Sequence, residues 1–136
     1  MRQRMGLLTV AVCTIALAAW WHSSTKAAPP NPAGGDAAAG RQAIVEFGCG
    51  TCHTIPGVTG ANGLVGPPLT DFASRATIAG ELPNTASQLE RWITSPQTVE
   101  PTTDMPDMGV PQAAARDIAT YLYTLGPRLT TYHVAG

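Results

Sequence analysis

The chain has 136 residues and a formal net charge of −1, with 44% hydrophobic and 12% charged residues, fourteen Gly and twelve Pro. So few charges on so apolar a chain exclude a disordered polyelectrolyte and a nucleic-acid binder. The length fits one domain, and the abundance of Gly and Pro implies a small core that an enclosed apolar group would complete.

Residues 1–28 open with Arg2 and Arg4, followed by 17 uncharged residues from Met5 to Trp21. This run reads as an export segment, longer than an ordinary signal core and at the lower limit for spanning a bilayer. Trp20 and Trp21 stand where such a helix would meet the membrane interface, while the residues from Ser24 to Ala28 make only a weak cleavage site. A retained transmembrane anchor is favoured over a cleaved signal peptide. With Arg2 and Arg4 held inside, the remainder lies outside the cytoplasm, either tethered to the inner membrane by a single pass or soluble in the periplasm. Cys13 serves as an apolar filler of that helix. From Pro29 onward five Arg stand against nine Asp or Glu, a net charge of −4, which disfavours anionic partners and favours a basic docking surface.

Residues 29–35 are a Pro/Gly linker, and the expected domain runs over 36–127 with a tail at 128–136. Asp36 is placed to cap a helix over about 37–47, with Ala37, Gly40, Ile44 and Phe47 at helical spacing and Gly48 as the stop. Sixteen residues from Thr54 to Leu69 carry neither a helix nor a strand pattern, and Thr70 is expected to cap a short helix at about 71–75. Thr85 and Gln88 form a capping-box pattern that opens a helix with Leu89, Trp92 and Ile93 on one face, ended by Ser95-Pro96. Pro111 suits the first turn of a last helix, with Ala114, Ile118, Tyr121 and Leu125 as its stripe and Gly126-Pro127 as its end. No stretch alternates with period two over enough residues to be a strand, so the domain is predicted to be all-α.

Between the first helix and the long loop lies Cys49-Gly50-Thr51-Cys52-His53. This spacing suits covalent attachment of a haem, in which each thiol adds across one vinyl group and the histidine ligates the iron. A redox dithiol would need a βαβ context, and zinc would need two more ligands nearby, whereas His22 and His133 lie at the membrane boundary and in the tail. The second axial ligand is expected to be Met105 rather than Met108, because Pro106 stiffens the backbone beside it and no helical stripe claims its side chain. Gly66-Pro67-Pro68-Leu69 is expected to bring a backbone carbonyl to the far nitrogen of His53. Arg75 is either a partner for a haem propionate or a solvated surface residue. Trp92 and Tyr121 read as core residues whose polar tips can reach a propionate or a backbone group. Glu100, Asp104 and Asp107 surround Met105 and read as a solvated loop or an acidic docking face.

These residues resemble the class I mono-haem cytochromes c over about 36–126, through Cys49 to His53, Gly66 to Leu69, Met105-Pro106 and Tyr121-Leu122. The resemblance implies three to four helices around one haem c and a crossing of the first and last helices with Gly40 at the close contact. Arg75 to Gly80, Leu82 to Thr85, and Trp92-Ile93 followed by Pro96-Gln97 are similar to the cytochrome c domain fused to subunit II of some haem-copper oxidases. That similarity implies a non-catalytic electron carrier serving a membrane oxidase or a quinol-oxidising complex, with no small-molecule substrate. The alternative is a tightly bound haem c subunit of an oxidase or a nitric oxide reductase. A third reading, a haem sensor or peroxidase, would require a displaceable Met ligand. With no copper-binding domain ahead of the haem stretch, the chain is expected to act as a separate tethered protein. The absence of Lys after residue 26 sets it apart from the family's lysine-ringed carriers.

Overall fold

The computed structural model describes residues 33–126. The expectations for an anchor over 1–28 and a tail over 128–136 lie outside these residues. Among the described residues no helix is long and apolar enough to cross a membrane.

The first helix, α1, spans Ala37–Glu46. Its start is fixed by Asp36, whose carboxylate accepts from the N–H groups of Ala38 and Ala39 at 2.7 and 2.9 Å, as an N-cap should. Its end is fixed by Gly48 at φ 66, a left-handed conformation that a residue with a Cβ adopts only at a cost. The last helix, α4, spans Gln112–Tyr123 after Pro111. These two helices cross in close contact, and the reason is Gly40. A Cβ there would lie 2.0 Å from the carbonyl oxygen of Asp117, so only glycine lets the two backbones approach this closely. The crossing is tied at its edge by Asp36 N–H donating to the Asp117 carboxylate at 2.8 Å and Gly35 N–H donating to the Thr120 hydroxyl at 3.0 Å.

Ile44, Ala115, Ile118, Ala119 and Leu122 fill the junction and are buried. Each large aliphatic side chain so removed from water contributes roughly 1.5–3 kcal/mol before entropy is counted. The buried face of α4 is wider than the expected stripe, since it adds Ala115, Ala119 and Leu122, and Leu125 falls beyond the helix end. A helix covered on more than one side needs more apolar positions than a single seam supplies.

Helix α2 spans Ala86–Thr94, opened by the Thr85 hydroxyl accepting from Gln88 N–H, with Leu89 and Ile93 buried and packed toward α4. Ser95-Pro96 ends this helix but also starts another. Ser95, at φ -151 and ψ 62, breaks the helical path, and Pro96 takes the first position of α3, Pro96–Val99, where its missing N–H costs nothing.

Two further departures from the sequence reading occur between residues 70 and 83. Thr70 caps nothing: a 3-10 turn at Phe72–Ser74 follows Asp71, which takes φ 52 and offers no side-chain cap. A two-residue antiparallel pair, β1 Thr77–Ile78 with β2 Leu82–Pro83, sets Ile78 opposite Leu82. Ala79 and Gly80, both at positive φ, turn the chain between them. The described domain is therefore four helices with one short ribbon.

Candidate functional site

Residues 49–53 continue the helical path after Gly48, because Cys49 C=O accepts from both Cys52 N–H and His53 N–H. That single turn presents both sulfurs and the imidazole from one short segment. Cys49 and Cys52 form no disulfide, and each is half-buried. Burial pushes the Cys49 thiol above its ordinary value, only partly opposed by its backbone hydrogen bond. Among the described residues no three His, Cys, Asp or Glu side chains gather into a metal-binding group.

The loop from Thr54 to Leu69 is held against this turn by its own backbone. Gly63 N–H donates to Gly50 C=O, Gly66 N–H to Cys52 C=O and Leu69 N–H to Thr54 C=O, at 2.8 to 3.1 Å. The approach is so close that a Cβ on Gly63 would meet the Thr51 carbonyl at 2.4 Å. Both terminal helices secure the loop's middle. Arg41 of α1 donates to Gly57 C=O at 2.7 Å, and the Tyr121 hydroxyl of α4 donates to Pro56 C=O at 2.6 Å. Tyr121 is thus committed to the loop.

The result of this wrapping is the placement of Pro67, whose carbonyl oxygen lies 2.7 Å from His53 Nδ1. A carbonyl can only accept, so Nδ1 carries the proton and the lone pair is on Nε2. The imidazole is held in the tautomer required of a metal ligand by the bond behind it. Gly66 flanks the ring so tightly that a Cβ there would stand 2.3 Å from its Cε1.

His53 faces a cavity of about 730 Å3, within the range of ligand-enclosing pockets. Cys49, Cys52, His53, Pro67, Arg75, Trp92 and Met105, all seven residues expected at a cofactor site, line it. Buried Ile44, Ile55, Phe72, Leu89, Ile93 and Leu122 supply apolar walls. Arg75 donates to the carbonyls of Pro68 and Thr70, the latter at 3.2 Å, and its guanidinium lies 5.3 Å from the centre of the Phe72 ring. Its described partners therefore follow Pro67 along the chain, from Pro68 to Phe72. Met105 is half-buried, whereas Met108 is 42% exposed, although both reach the cavity. Asp104 also lines it, while exposed Asp107 accepts from Gly109 N–H at 2.8 Å. Glu100 lies further along the loop, its carboxyl held low by hydrogen bonds from the Thr102 hydroxyl and N–H.

Sequence reasoning missed Arg41 as a strap on the loop, and it missed Gln97 and Thr103 around Met105. Gln97 Nε2 donates to Met105 C=O at 2.9 Å, and Met105 N–H donates to the Thr103 hydroxyl at 3.2 Å. A Thr two residues before the expected ligand was the available signal for such a turn.

The donor set fits a covalently held iron porphyrin. Two thiols and an imidazole with Nε2 free stand on one turn, at the wall of an apolar cavity that also admits a thioether. The cytochrome c family profile matches residues 37–126. Subunit 2 of cytochrome c oxidase from Alkalihalophilus pseudofirmus is 40% identical over 67 residues, which are 49% of this chain. The matched stretch is only 19% of that subunit's length. No solved structure matches the chain.

Proposed function

The chain belongs to the cytochrome c family, and from that premise we propose that it is a membrane-tethered carrier of single electrons serving a terminal oxidase. A haem c is the cofactor the family implies, and bound here it supplies reversible one-electron exchange at iron. Cys49 and Cys52 would hold it covalently through their sulfurs. His53 Nε2 and the Met105 thioether would ligate its iron. A His and Met pair would suit outer-sphere electron exchange and would raise the potential relative to other ligand pairs. Pro67 holds the imidazole in its ligating tautomer, and Trp92 with the aliphatic walls lines the cavity. Such a site changes charge without rearranging bonds.

The observation that carries this reading is the convergence of Cys49, Cys52, a correctly protonated His53 and Met105 on one apolar cavity. The similarity to an oxidase subunit supports the direction of electron flow. The apolar run at 5–21 supports tethering at the outer face of the inner membrane. The same similarity favours one alternative, a haem c subunit held permanently in an oxidoreductase complex. Detergent extraction separates the two, since a carrier elutes alone and a subunit elutes with its complex.

Visible and near-infrared spectra of the native ferric protein test the ligand pair. The thioether-to-iron band is expected to vanish in Met105→Ala and persist in Met108→Ala. The potential of Met105→Ala should fall by on the order of 0.1 V or more, a fraction of the roughly 0.8 V that axial ligands span. Loss of the band in Met108→Ala alone would reverse the assignment.

A further inference from the structure

We infer that Gln97 is a positioning residue for the thioether ligand, acting through the backbone of Met105; the inference rests on Met105 being that ligand. A thioether is a neutral, weak donor, so its hold on iron depends on how firmly the chain keeps it near. The segment from 100 to 110 contains no helix or strand that could do this. It is stiffened locally instead. Glu100 accepts from Thr102 N–H at 3.1 Å, the Thr103 hydroxyl from Met105 N–H at 3.2 Å, and Asp107 from Gly109 N–H at 2.8 Å. Each is a side chain bonding two residues onward, which shapes a loop without attaching it to the rest of the fold.

Gln97 supplies the attachment. It stands on α3, and its Nε2 reaches eight residues along the chain to the Met105 carbonyl at 2.9 Å. Met105 is then held at both peptide groups, N–H by Thr103 and C=O by Gln97. Pro106 follows at once, and its ring fixes φ and removes a donor that would compete for a partner. Release of the thioether with movement of this segment must break the Gln97 bond. Gln97 itself is exposed and does not line the cavity, so changing it leaves the haem walls intact.

The test uses the holo-protein with Gln97→Leu and Gln97→Glu. Leucine removes the donor, and an ionised glutamate of equal length faces the carbonyl with an acceptor. The first readout is the affinity of added imidazole for the ferric protein, which must displace the thioether to bind. It should tighten about two- to tenfold in Gln97→Leu, the effect of one hydrogen bond, and at least as much in Gln97→Glu. The second is amide hydrogen exchange, which should quicken at Met105 while Ala119 in the core keeps its protection. Unchanged imidazole affinity in both variants overturns the inference. Faster exchange at Ala119 to the same degree also overturns it, because that is general loosening. A wild-type protein without the thioether-to-iron band removes the ligand assignment and the inference together, whereas a wild-type band with imidazole affinity unchanged in both variants removes the inference alone.

Discussion

Gly40→Ala is expected to lower the melting temperature of the holo-protein by about 15 °C or more, a loss of roughly 3 kcal/mol in a domain of this size. Helix propensity alone predicts the opposite sign, since alanine in a helix interior is favoured over glycine by about 1 kcal/mol. Packing overrides it. The new Cβ would sit 2.0 Å from the Asp117 carbonyl oxygen, 2.4 Å from its carbon and 2.9 Å from Ile118 N. These are main-chain atoms of α4, which cannot rotate aside as a side-chain tip would. The helices must therefore separate, and separation strains the Asp36–Asp117, Gly35–Thr120 and Tyr121–Pro56 hydrogen bonds that seat the linker and the haem-side loop. Thermal unfolding followed by far-ultraviolet circular dichroism reads the effect. A stabilised variant would contradict the crossing.

Gly66→Ala should reduce the yield of matured holo-protein about tenfold or more, the scale seen when the groups that orient a metal ligand are disturbed. A Cβ there would lie 2.3 Å from Cε1, 2.7 Å from Nδ1 and 3.0 Å from Nε2 of His53. The ring cannot simply yield, because its Nδ1–H is bound to Pro67, and Gly66 cannot retreat without losing its own N–H bond to Cys52 C=O. The imidazole must tilt, and Nε2 turns away from its ligating direction. Gly126→Ala is the control. Its Cβ would come no closer than 3.9 Å to Ala73, so holo-protein yield should be unchanged. Equal yields of Gly66→Ala and the control would contradict the seating of His53.

Local signals that act through neighbouring residues were legible in the sequence. Asp36 before an apolar-periodic run, Gly48 after it, and Thr85 three residues before Gln88 each satisfy or release specific backbone groups, so the ends of α1 and the start of α2 could be read directly. The His53–Pro67 bond was anticipated because a metal-ligating imidazole needs an acceptor behind it and the loop has a turn to supply one. Ser95-Pro96 was read correctly as a helix end, but the short helix that Pro96 itself begins was missed, because proline suits both places. The β1–β2 ribbon escaped because two residues per strand are too few for alternation to show. Thr70 was a plausible cap, but the left-handed Asp71 turns the chain before any cap can form.

At the site, residue types with specific chemistry announced themselves, whereas Arg41, Gln97 and Arg75 acquired their roles only from where irregular loops bring carbonyl oxygens. No periodicity encodes that. Tyr121 shows the same limit from the other side. Its place on α4 was readable, but its hydroxyl partner, Pro56, is 65 residues away.

The account stands most directly on the intact mass of the protein after export and maturation in cells that attach haem. It predicts one haem that resists extraction under denaturing conditions and is lost from the Cys49→Ala/Cys52→Ala double variant. A colourless polypeptide at its bare mass, with both thiols open to alkylation, would contradict it.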